Sequence, residues 1–262
     1  MRSGKPAAAF TVLLVVSFAT MNAMPSDTLL AAMLQEAVLA LVALVAVGFA
    51  VPDALKRCTQ SVQQRNTERF AGITLLLTGL VGGAITILTW YFANSGNGAG
   101  FVSAVLPSAV DLMENLLLLL GICLLTGLYE ESFMRVLGIE AFERALDTKR
   151  AILASAALFA LLHVGAPDVS AGQLVLLQTA LKFGQALLFG VILGALYVRT
   201  RRLWPCAFIH AGFDVLYMTP NVLLTGTMPE TYASGAVGDT VLLAVSVLML
   251  SGIVLKIRKE IA

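Results

Sequence analysis

Long apolar runs separated by short polar or basic breaks organise the whole chain. They fall near 7–24, 29–52, 71–94, 106–130, 151–166, 174–198, 203–218 and 238–256. Most approach the about 20 residues that a helix needs to cross the hydrocarbon core of a bilayer. The pattern therefore predicts an all-α polytopic membrane protein with eight transmembrane helices, in a single integral membrane domain over 1–262.

The basic residues test this division, because cytoplasmic loops are enriched in Lys and Arg. Arg2 and Lys5 precede the first run, and Lys56, Arg57, Arg65 and Arg69 separate the second from the third. Arg135, Arg144, Lys149 and Arg150 follow the fourth, Arg199, Arg201 and Arg202 the sixth, and Lys256, Arg258 and Lys259 the eighth. Sixteen of the 17 basic residues thus fall on one side. The opposite connections, around Pro25 to Asp27 and over 94–100, 165–172 and 219–238, hold none. Eight spans with both termini cytoplasmic follow, since one missed span would break the alternation.

Composition agrees. The chain is 58% hydrophobic and 13% charged, with a mean hydropathy of +0.88, where a soluble domain carries roughly 25% charge. There is no room for a sizeable soluble domain. A net charge of +1 and the lack of a basic stripe interleaved with aromatics argue against a nucleic-acid partner. Cys58 falls in a predicted cytoplasmic loop and Cys123 and Cys206 in spans, with no disulfide or zinc-finger spacing. The first run reads as a span rather than a cleaved signal, because the small-residue pattern around Ala23 is poor. Gly138 to Arg150, with Ile139, Phe142 and Leu146 at helical spacing, predicts an amphipathic helix on the cytoplasmic interface. Gly79 and Gly83, and Gly184, Gly190 and Gly194, predict close helix packing.

Against this background, ionisable residues at bilayer depth stand out, because each costs about 2.5 to 3.5 kcal/mol to insert. The fourth span closes with Glu130-Glu131-Ser-Phe-Met-Arg135. If the helix continues, Glu131 and Arg135 share a face and Glu130 points about 100° away, which suits one carboxylate held by a cation and another left to take a proton. A solvated interfacial pair is the plainer alternative. The fifth span holds Phe159 and His163 four residues apart. The seventh holds His210 and Asp214 at the same spacing, so the carboxylate can reach the imidazole and fix its tautomer. Taken singly, each histidine also reads as a hydrogen-bonded bundle residue. Lys182, the one basic residue off the cytoplasmic side, reads as a structural ion pair with Asp111, Glu114 or Glu36.

These residues resemble the CPBP family, the CAAX protease and bacteriocin-processing (Abi) intramembrane endopeptidases. That family is marked by EExxxR, FxxxH and HxxxN or HxxxD on three membrane helices. Glu130-Glu131 to Arg135, Phe159 to His163 and His210 to Asp214 match in order, within a core of about 106–218. The resemblance implies catalytic residues on helices 4, 5 and 7. Glu130 would activate water, Glu131 and Arg135 would shape the site, and His163 and His210 would act around the scissile carbonyl. Asp214 takes the Asn or Asp position. As a carboxylate it cannot donate a hydrogen bond unless protonated, so orienting His210 is the expected role.

A metal-free mechanism is the leading expectation for the cofactor. The alternative is zinc held by Glu130, His163 and His210, a ligand set known for catalytic zinc although HExxH spacing is absent. The implied substrate is a peptide or protein at the lipid bilayer, cut near its C-terminus or during export, in a multi-pass cell-membrane protein that looks bacterial from its compact size. Two other classes are a proton- or ion-coupled transporter, using the same residues as a relay, and a non-catalytic membrane immunity or adaptor protein. The concentration of polar residues in the second half and the lack of two-half symmetry disfavour transport.

Overall fold

The computed structural model describes residues 4–24, 26–56, 61–95, 107–164, 170–228 and 233–261. These residues form helices and no strand. The long helices are α1 (Lys5–Ala23), α2 (Leu29–Ala50), α3 (Ser61–Ser95), α4 (Ala109–Glu131), α5 (Thr148–Val164), α6 (Gln173–Thr200), α7 (Leu203–Thr225) and α8 (Val237–Ile261). Local sequence sets several of their ends. The Thr28 hydroxyl accepts from the Ala31 amide to cap α2, and Ser108 and Asp111 form a reciprocal capping box at the start of α4. α7 ends at Gly226, whose φ of 68° suits a residue without a Cβ.

Among the described residues, five helices are long and apolar enough to cross a membrane: α1, α2, the continuous stretch Ala109–Phe142, α6, and Val237–Ile257 of α8. The chain is thus a multi-pass membrane protein, while eight crossings are more than length and composition establish. α5, with 17 residues, and α7, which carries His210, Asp214, Thr219, Pro220 and Asn221, fall short for local reasons, and among the described side chains of α3 the apolar stretch is Phe70–Ile85. Outward faces are apolar, with Val45, Phe49, Leu76, Ile87, Leu117 and Leu248 each more than half exposed. Such faces suit hydrocarbon and would be a liability in water.

α4 packs against α2 and α7, α6 against α5 and α8, and α3 against α7. Glycines set the closest approaches. A Cβ on Gly127 would stand 2.6 Å from the Ala207 carbonyl oxygen, so α4 and α7 meet backbone to backbone one turn before Glu130 and Glu131. Gly190 and Gly194 of α6 similarly let Ala156 and Ile152 of α5 within 2.9 Å of a built Cβ. The expectation for Gly79 and Gly83 fails, because both face open space. Their neighbour Gly82 makes the approach, 2.8 Å from Leu216, and Gly184 makes only an ordinary contact.

α4 runs into a π-helical segment, Ser132–Ile139, all eight residues of which are buried. It is gripped from two sides. Phe10 of α1 packs on Phe133 at 4.7 Å and on Phe142 at 5.8 Å, and the Ser155 hydroxyl donates to the Met134 carbonyl at 2.6 Å. The amphipathic helix expected over 138–150 is absent. Ile139 ends the π segment in the core, Glu140–Phe142 form one helical turn, and α5 begins at Thr148. The acidic residues there act as a clasp. Arg201, just past α6, donates to Glu140 at 2.7 Å and to Glu143 at 2.8 and 3.0 Å, and the Tyr197 hydroxyl donates to Glu140. Burial works against the Arg201 charge, but the Glu143 and Glu140 hydrogen bonds outweigh it and leave the pKa raised.

Candidate active site

Glu130 and Glu131 end α4 on different faces, as helical geometry dictates for consecutive residues. The Glu131 side chain is fully buried, whereas that of Glu130 is 22% exposed. Glu131 joins two helices. Its Oε1 lies 2.8 Å from His210 Nδ1 on α7, and its Oε2 lies 3.1 Å from Arg135 Nε in the π segment. The expected i, i+4 pair therefore forms across the junction between α and π geometry. Arg135 is also fully buried, with its guanidinium 4.4 Å from the Phe159 ring centre. Among the basic residues on the predicted cytoplasmic side, it is thus an interior ion pair rather than a loop charge. π segments inside α-helices concentrate at functional sites, and this one begins one residue after the paired glutamates.

His163, in the last turn of α5, contacts the Phe159 carbonyl oxygen through Nδ1 at 2.9 Å. Since a carbonyl only accepts, Nδ1 carries the proton and Nε2 offers a lone pair. That Nε2 lies 3.9 Å from Glu130 Oε2. His210 repeats the arrangement with a different anchor: Nδ1 is held by Glu131, and Nε2 lies 3.5 Å from Glu130 Oε2 and 3.4 Å from Asp214 Oδ2. Asp214 was expected to orient His210. His210 Nδ1 donates its hydrogen bond to Glu131, and the Asp214 carboxylate reaches the other ring nitrogen. Aromatic rings brace both imidazoles, Phe159 at 4.2 Å from His163 and Phe189 edge-on to His210 at 5.1 Å.

All six expected site residues thus gather at one place, with two Nε2 atoms converging on the Glu130 carboxylate. A cavity of about 340 Å³ opens there, with Glu130, His163 and Tyr129 on one side and Ser17 and Phe18 of α1 on another. Phe159, which stacks on both Arg135 and His163, acts as a hub that its motif spacing did not announce. The sequence did flag Glu36 as an intramembrane carboxyl. It hydrogen-bonds Thr126 and lies within electrostatic reach of Asp214 and His210.

Of the carboxylates expected near Lys182, Asp111 takes part in the capping box at the start of α4, and Glu36 hydrogen-bonds Thr126. Lys182 Nζ donates to Gln185 Oε1 at 3.0 Å and lies 5.2 Å from the Tyr217 ring centre. Gln185 is in turn fixed by its hydrogen bond to Ser246 on α8.

Glu130, His163 and His210 have the chemistry of a zinc ligand set. Among the described residues, however, no three His, Cys, Asp or Glu side chains are placed to hold a metal ion together. The residues as placed do not form that site, and no step below is routed through a metal.

Residues 112–216 match the family described as Rce1-like: Type II CAAX prenyl endopeptidase Rce1-like. This match supports the resemblance of the motif-bearing stretch to the CPBP/CAAX protease family. The matched stretch runs from the first turns of α4 to α7 and contains Glu130, Glu131, Arg135, His163, His210 and Asp214. No curated protein matches the sequence.

Proposed function

We propose that this protein is an intramembrane endopeptidase that hydrolyses a peptide bond of a membrane-associated or exported protein, with Glu130 activating the attacking water. The observation that supports it best is the placement of Glu130 Oε2 within 3.5 and 3.9 Å of two Nε2 atoms whose rings are each tied through Nδ1. One carboxylate positioned to take a proton, between two oriented imidazoles, is the arrangement that general acid–base hydrolysis requires.

In this reading the lone pair on His163 Nε2 accepts a hydrogen bond from water while Glu130 removes a proton from it. The water oxygen bonds to the carbonyl carbon and the carbonyl π pair moves onto oxygen. When that pair returns, the C–N bond breaks, and the proton held by Glu130 passes through His210 Nε2 to the departing nitrogen. Glu131 and Arg135 position His210, and Arg135 in turn rests on Phe159. Every proton is accounted for without a metal. The peptide would reach the cavity beside α1 from the bilayer.

The same proposal takes eight crossings with both termini cytoplasmic, on the distribution of basic residues. It predicts that cells carrying Glu130→Gln accumulate a membrane-associated protein with an uncleaved terminus, seen by comparing peptide termini with the wild type. Identical termini in the two strains would overturn it.

A further inference from the structure

The cavity at Glu130 is far larger than a water molecule requires. One water takes up roughly 30 Å³, whereas the cavity measures about 340 Å³. Its polar lining consists of Ser17, Tyr129, Glu130 and His163, and every other lining residue is apolar. The Ser17 hydroxyl donates to the Leu13 carbonyl of its own helix at 2.6 Å. Glu130 is the one carboxylate that faces this space.

Two apolar banks face each other across it. Leu14, Phe18 and Met21 follow one another at helical spacing on one face of α1. Met134 of the π segment and Leu162 of α5 stand on the other bank. α1 rests on α2 and on the π segment, and the cavity lies between it and the His163 end of α5. Phe18, Met21 and Leu162 are exposed, so the rim opens on the apolar outer face of the bundle. The α1 bank also lies outside the matched stretch 112–216, which carries the acid–base groups.

We propose that this face of α1, through Leu14, Phe18 and Met21, is a specificity-determining subsite that takes one large apolar side chain, Phe, Leu or Met, from a residue flanking the scissile bond. This rests on the endopeptidase reading. The lining disfavours the other side-chain classes. A basic side chain would pair with Glu130 and oppose its taking the water proton, and an acidic one would meet like charge. A small side chain would leave the walls without partner atoms and forfeit their dispersion contacts. Lipid tails are as apolar as the pocket, so selection comes from fit rather than from transfer out of water. Met21 and Met134 let the walls adjust to more than one apolar shape.

The test uses the full-length protein in proteoliposomes that also carry membrane-spanning peptides with a randomised central segment, and reads the new termini by mass spectrometry. The wild type should cut bonds that have Phe, Leu or Met at one fixed neighbouring position, preferring them to Ala or Gly by about tenfold or more, the scale on which an apolar pocket discriminates size. Leu14→Trp, which fills the pocket, and Met21→Trp, at its exposed rim, should each lower that large-to-small ratio by about tenfold. The ratio is read within one sample, so partial misfolding of a variant does not imitate the result. A wild type that cuts without such a preference would overturn the proposal, as would an unchanged ratio in both variants. A separate readout needs no turnover. In the Glu130→Gln protein, a peptide carrying benzoylphenylalanine in its central segment should cross-link between Leu14 and Met21, and the same peptide with Phe should compete better than its Ala counterpart. Cross-links confined to other helices, or equal competition, would overturn the proposal as well. A wild-type protein that cuts no peptide counts against the endopeptidase reading, whereas the cross-linking judges the subsite by itself.

Discussion

His210 Nδ1 and Glu131 Oε1 stand 2.8 Å apart, and both side chains are almost wholly removed from solvent. This contact joins the end of α4 to the middle of α7. Because Glu131 also holds Arg135, the histidine's orientation depends on a buried ion pair that lies away from Glu130. Gly127, one turn earlier, brings the two helix backbones close enough for the bond to form.

Removing one partner of a buried ion pair leaves an uncompensated charge and costs about 3 to 5 kcal/mol. Glu131→Ala should therefore lower the thermal midpoint substantially, whereas Glu130→Ala should alter it less, since Glu130 is 22% exposed and its neighbours are the two imidazoles rather than a buried guanidinium. Thermal unfolding of the two variants in the same detergent checks this. Equal midpoints would contradict the assignment of Glu131 to the framework.

The close approach at Gly127 makes a second prediction about stability. A Cβ there meets a backbone carbonyl at 2.6 Å, so Gly127→Ala should destabilise by about 1 to 3 kcal/mol, the range for overpacking. It should also displace His210 from Glu131 and lower activity. Gly83→Ala faces open space and should be nearly silent. Unfolding midpoints measured side by side distinguish the two.

Much of this site was legible in the sequence because its pieces are local. Glu131 with Arg135, Phe159 with His163, and His210 with Asp214 are each four residues apart, and helical periodicity alone places each pair on one face. What periodicity cannot supply is which helices touch. The Glu131 to His210 bond spans 79 residues, so the i, i+4 neighbour Asp214 looked like the orienting group. For the same reason Gly79 and Gly83 carried a packing motif that points to open space, while Gly82 and Gly127 make the contacts. The π segment left no periodic mark, because its apolar residues satisfy an α pattern equally well. Gln185 was overlooked, since a polar side chain in a span shows its importance only when its partner, Ser246 on another helix, is known.

The topology proposed from the basic residues can be read directly. Cysteines introduced at Asp147 and Ser170, exposed positions on either side of α5, should label from opposite faces of the membrane, with position 147 cytoplasmic. Labelling from one face would contradict a crossing by α5.

The metal question has a stoichiometric answer. The mechanism above predicts full activity after exhaustive chelation and no bound metal near one equivalent in purified protein. Zinc at one equivalent, lost in both His163→Ala and His210→Ala together with activity, would replace the metal-free scheme with one built on that ion.

Most direct is the rate of the Glu130→Gln variant on a peptide that the wild type cleaves. Glutamine keeps the shape and hydrogen-bonding capacity of the side chain but cannot accept the proton of water. The account predicts a loss in kcat of at least about 10²-fold, as expected when a general base is removed, with an unchanged thermal midpoint. A Glu130→Gln protein that turns over at the wild-type rate would contradict it.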